Sequence, residues 1–103
     1  MFGKLAEAQQ KAEAVKQKLE AITVEGDASN GLVKVGSTGN KKIYEIIIAD
    51  ELMAIDRKEE LQDLLIIAID RAMTAAENVS QSEMQALMST MMSGGLGSLF
   101  GKK

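Results

Sequence analysis

Chemistry in this 103-residue chain would have to come from amines, carboxylates, hydroxyls and amides, because histidine and cysteine are both absent. General acid–base work would then fall to carboxylates with shifted pKa values in a pocket. The candidates are Asp50, Glu51, Asp56, Glu59 and Glu60, and all of them fall where helices are predicted to begin. Acidic residues there face the positive end of the helix dipole, so capping accounts for them without catalysis. Carboxylates alone also make a poor transition-metal site. The stretch "GSTGN" at 36–40 has glycines, but it lies between strand-like runs and lacks the Lys-Ser/Thr that a phosphate loop sets before a helix. The expectation is therefore no enzyme, no metal, no cofactor and no small-molecule substrate.

The lysines are the more informative charges. Lys4, Lys11 and Lys18 recur every seven residues and so fall in a line on one side of a helix, with Lys16 on the other side of its apolar seam. One reading lays their stems over the seam's margin with the heads in water. The other makes them a short basic stripe that contacts phosphates and is doubled in a dimer. Phe2, Tyr44 and Phe100 are the only aromatics, so stacking on the bases of a single strand is disfavoured. A stripe of this kind would meet backbone rather than read base sequence.

The overall charge of −3 does not by itself suggest a polyanionic partner, and it is unevenly distributed. Residues 1–22 balance at +1, residues 23–55 at −2, residues 56–92 at −4, and the terminal Lys102-Lys103 pair adds +2.

The elements that must position these side chains follow from periodicity. Leu5, Ala8, Ala12, Val15, Leu19 and Ile22 step by threes and fours, which predicts a first helix. From Thr23 the chain turns β-branched and is interrupted by Asn30-Gly31 and by Gly39-Asn40. Asn-Gly supplies the two positive φ angles of a type I′ hairpin turn. Three antiparallel strands are expected, at about 22–27, 32–38 and 42–48. Asp50 is expected to cap a short helical turn, and Asp56 to open a long helix with Glu59 completing a capping box. Leu61, Leu65, Ala68, Ala72, Ala75 and Val79 form its seam. The fold class is α+β, with residues 1–93 as a single domain and 94–103 as a flexible, glycine-rich tail.

Two features call for a second copy of the chain. "KKIYEIIIADEL" places Ile46, Ile47 and Ile48 side by side, so both faces of that strand are apolar. A helix from Asp56 to about Met92 would be ~55 Å long, whereas a compact chain of this size has a radius of gyration near ~13 Å. Unless the helix breaks near Asn78–Ser82, it overshoots a monomeric globule. A symmetric homodimer is the simplest cover, with Val33, Val35, Ile46, Ile47, Ile48, Leu65 and Ile69 as its expected interface. No apolar run reaches the ~18 residues of a membrane span, and no signal-peptide centre is visible, so the expected location is cytoplasmic.

In order and spacing, several motifs resemble the YbaB/EbfC family of bacterial nucleoid-associated proteins. They are "GLVKV" after an Asn-Gly turn, Ile48-x-Asp50-Glu51-Leu52, "LQDLLIIAIDRAM" and "SQSEM", with "MFGK" and "AQQ" near the start. The likeness runs from Met1 to Met84. It implies an intertwined homodimer joined through the sheets, with helical arms projecting like tweezers. It also implies double-stranded DNA as partner, bound at the nucleoid with little sequence preference and with a possible change in DNA conformation. Lys4, Lys11, Lys16, Lys18 and Arg71 are the basic positions that match, and Lys102 and Lys103 add charge at the end. Where members often carry basic residues, this chain has Thr74-Ala75 and, further on, Ser82-Glu83. The competing class is a protein-interaction module without a DNA role, working through Met84, Met88, Met91, Met92 and the tail.

Overall fold

Twenty residues free of Pro and rich in Ala, Gln, Lys and Glu build helix α1, Phe2–Ala21, which ends as the β-branched run Ile22-Thr23-Val24 begins. Strands β1 (Thr23–Ala28), β2 (Val33–Thr38) and β3 (Ile43–Ile48) follow as an antiparallel sheet in the order β1-β2-β3. Two 3₁₀ turns, Asp50–Leu52 and Ile55–Arg57, lead into helix α2, Lys58–Phe100. The computed structural model describes residues 2–100, and the side chains of residues 2, 4 and 93–100 lie outside the description.

The first hairpin turns on Asn30 (φ 56°) and Gly31 (φ 87°), with the Leu32 amide donating to the Ser29 carbonyl at 3.3 Å, as the Asn-Gly dipeptide predicts. In the second, the Lys41 amide donates to the Thr38 carbonyl at 3.0 Å and Lys41 takes φ 68°. A three-residue loop ending in a left-handed residue brings a bulge with it. Further along the strands the register slips again, between Ser37↔Ile43 and Gly36↔Glu45, leaving Tyr44 as the extra residue of β3 in a second bulge outside the turn.

α2 packs across β1 and β2 on a stripe of small residues, and Ala68, Ala72 and Ala76 are fully buried. Ala76 rather than Ala75 continues the buried stripe, since Ala75 is only half-buried. Gly26 permits this approach: a Cβ there would lie 2.2 Å from the Ala72 amide nitrogen and 2.4 Å from the Ala68 carbonyl oxygen. Ala28, Val33, Val35 and Leu52 complete the core, with Ile48, Leu65 and Ile69 packed against it and partly buried.

Several expectations are corrected. Val33 and Val35 are fully buried within this chain, so neither can offer surface to a partner. Asp50 lies inside the first 3₁₀ turn, whose N-cap is Ala49, and makes no side-chain capping bond there. Asp56 lies in the second 3₁₀ turn, again without a side-chain cap, and α2 begins at Lys58. No break occurs at 78–82, and the helix continues past Met92 to Phe100. Glycine weakens a helix but, unlike proline, keeps its N–H and imposes no clash.

At ~1.5 Å per residue, the 43 residues of α2 span ~65 Å, which sets the long axis of a molecule measuring 69 × 22 × 16 Å. The radius of gyration is 19.9 Å. Accessible surface is 7301 Å², against roughly 5,650 Å² for a compact monomer of this mass. Much of the excess is apolar. Ile43, Tyr44, Ile46 and Ile47 of β3 are 42–56% exposed, and Met53, Ile55, Ile66 and Ile67 are exposed nearby. Ile46 and Ile47 point to opposite faces, so the apolar strand is left uncovered on both.

Candidate nucleic-acid interface

α1 runs back along the distal part of α2. Lys18 faces Glu83, and Ala14 and Val15 look across a shallow groove to Ala86, Leu87 and Thr90. Together the two helices make an arm beyond the sheet. Its root is fixed by the β2–β3 turn. The Gly39 amide donates to the carbonyls of Leu19 and Ile22, both at 2.9 Å. A Cβ on Gly39 would meet the Leu19 carbonyl at 2.9 Å, so only glycine lets the turn approach this closely. Asn40 then reaches α1 with both protons of its side-chain amide, donating to the Lys16 carbonyl at 2.9 Å and to Glu20 Oε1 at 2.8 Å.

This docking assembles charges that are far apart in sequence. Lys42 Nζ stands 3.7 Å from Glu20 Oε2, Lys41 pairs with Glu77 of α2, and Lys18 Nζ is 3.0 Å from Glu83 Oε1. Gln81 Nε2 also donates to Glu77 at 3.0 Å. The hydrogen bond from Lys41, then its charge, then the bond from Gln81 hold the Glu77 carboxyl below the usual glutamate range.

The expected basic line is therefore only partly a free stripe. Lys11 Nζ is 3.8 Å from Glu7, one turn back on its own helix. Lys18 is tied across the arm to Glu83 yet stays 61% exposed. Lys16 is exposed and enters no ion pair among the described residues. Lys4 stands on the first turn of α1, its side chain outside the described residues, as Lys102 and Lys103 are altogether. Arg71 stands apart, with Nη1 donating to the Asp27 carbonyl at 2.8 Å and pinning α2 to β1.

Sequence reasoning missed Lys41 and Lys42. Neither belongs to a helical period, and only the turn that carries them, folded onto α1, brings them to the side of that helix that carries Lys16 and Glu20. At the other end of α2, Arg57 Nε donates to Glu60 at 2.8 Å and Nη1 to the Glu51 carbonyl at 3.0 Å, tying the 3₁₀ turns to the helix start. Of the residues expected at an interface, Ile46 and Ile47 are exposed on β3, while Ile48, Leu65 and Ile69 lean on the chain's own core. Among the described residues no helix is long and apolar enough to cross a membrane.

Comparison with known proteins agrees with this architecture. A crystal structure of an uncharacterized protein from Helicobacter pylori superposes with a TM-score of 0.71 over 88% of this chain and 91% of the other, at 20% identity. A nucleoid-associated protein from Thermus thermophilus is 39% identical over 97 residues, covering 92% of this chain and 87% of that one. Another, from Flavobacterium johnsoniae, is 34% identical over 87 residues, covering 84% and 80%. The model of the YbaB/EbfC DNA-binding family, which is not a family of enzymes, matches residues 1–91. With the match spanning nearly all of both helices and the whole sheet, the chain belongs to the YbaB/EbfC DNA-binding family.

Proposed function

We propose that this protein is a nucleoid-associated protein that binds duplex DNA as a homodimer, through phosphate contacts from basic helical residues and with little sequence preference. The observation that carries the reading is the helical arm itself. It holds Lys11 and Lys16 at its surface, in a chain of a DNA-binding family. Few contacts of this kind position a duplex without reading its bases.

The second copy is the natural cover for β3. An apolar strand exposed on both faces and at its open edge invites pairing, and the surface excess of roughly 1,650 Å² on one chain is about twice the ~800 Å² that each partner of a standard interface buries. Dimerisation doubles the lysines and sets two arms on one body, a geometry able to hold or bend a duplex between them. The location that follows is the nucleoid. The exposed methionines Met84, Met88, Met91 and Met92 favour a second reading, a partner-protein surface at the arm's end.

Fluorescence anisotropy with labelled duplexes of unrelated sequence tests the first reading. Replacing Lys4, Lys11 and Lys18 together by Gln should weaken binding about equally on every duplex and flatten its salt dependence, leaving the oligomeric state unchanged. Undiminished binding by this variant would reduce the line to a solvated margin. Absence of wild-type binding even at low salt would favour the protein-partner reading.

A further inference from the structure

Two lysines of the β2–β3 turn are paired across elements rather than within one helix, Lys41 with Glu77 of α2 and Lys42 with Glu20 of α1, and Asn40 holds that turn on the side of α1 that carries Lys16 and Glu20. We propose that Lys41 and Lys42, beside Lys16, form a second phosphate-binding set. Glu77 and Glu20 keep it masked by occupying the ammonium groups that a nucleic-acid backbone would otherwise engage. This rests on the DNA-binding reading above.

The turn is built to present these lysines. Asn40 clamps it to α1, and the left-handed φ of Lys41 lets two consecutive side chains diverge, Lys41 towards Glu77 on α2 and Lys42 towards Glu20 on α1. Each carboxylate thus stands where a phosphate oxygen would, and the three lysines against two glutamates leave a net charge of only +1. The pairs are not buried: the side chains of Lys41 and Lys42 are 49% and 72% exposed. Exposed ion pairs are worth little, so a dense row of phosphates can displace them. The glutamates stay nearby after displacement and oppose the phosphates, which lowers affinity and limits binding to high local charge density.

The test compares two double variants with the same charge change. Glu20→Gln/Glu77→Gln unmasks the set. Glu13→Gln/Asp63→Asn neutralises exposed carboxylates that pair with none of these lysines. Circular dichroism and sedimentation check that both keep the wild-type helix content and assembly. The unmasked protein should bind a random duplex about tenfold more tightly near physiological salt. Its slope of log K against log salt should steepen by about 2, close to 0.9 for each lysine released. The control should gain less than about threefold and keep the wild-type slope. Adding Lys41→Gln and Lys42→Gln to the unmasked protein should remove most of the gain. Equal gains in both double variants, or an unmasked protein that binds as wild type does, would overturn the masking while leaving DNA binding intact. No binding by any of these proteins at low salt would overturn the DNA reading and the masking together.

Discussion

Glu77 shows how a single side chain reports on the junction. Its depressed pKa arises from the hydrogen bond and charge of Lys41 and from the bond of Gln81. A carboxylate held low in the folded state favours folding at pH above its unfolded pKa, and loses that contribution as pH falls through the lower folded value. The pairing is therefore intact at neutral pH and released only in acid. A carboxyl NMR titration should place the wild-type Glu77 midpoint below that of an ordinary glutamate, and Lys41→Gln should move it back up. An unmoved midpoint would mean that the contact does not persist in solution. None of the three cross-element pairs was legible in the sequence, because their members lie 22 to 65 positions apart and belong to no common period. The heptad spacing of Lys4, Lys11 and Lys18 was legible, but spacing states where a charge falls on a helix and not what faces it.

At the scale of elements, the close seating of α2 on β1 depends on the absence of a side chain at Gly26. A methyl group there meets backbone rather than a flexible side-chain end, so the helix itself must shift. Gly26→Ala is expected to cost about 1–3 kcal/mol or more in urea unfolding, as overpacking does. Gly3→Ala, with nothing within 4 Å of the added carbon, should leave stability unchanged or slightly raised. A Gly26→Ala protein as stable as wild type would show that α2 is not held this closely. The strands and the Asn-Gly turn could be read ahead to within a residue, because β-branched runs and turn dipeptides are local signals. The start of α2 could not. Asp56 and Glu59 fit a capping box, yet the entry is organised by Arg57 with Glu60 and the Glu51 carbonyl. The bulge at Tyr44 escaped as well, since no turn dipeptide or break in the β-branched run marks it in the sequence.

For the whole molecule, an elongated chain with an uncovered apolar strand supports the proposed dimer, and a dimer with lysine-bearing arms supports DNA as its partner. Ile47 is the clearest handle on the first step: it is 48% exposed, whereas Ile48 also leans on the chain's own core. Ile47→Asp would place an unpaired charge in the proposed dimer interface, at a cost of several kcal/mol, and should yield folded monomers with much weaker DNA binding. Both steps meet in one measurement: sedimentation velocity of the wild-type protein at micromolar concentration, alone and with a labelled duplex of arbitrary sequence, over a series of salt concentrations. The expected result is a dimer at every salt concentration, which joins the duplex at low salt and leaves it as salt rises, with a slope of log K near −4 to −5 for about 4–6 neutralised phosphates. A well-folded monomer, or a dimer that never moves with the duplex at low salt, would contradict it.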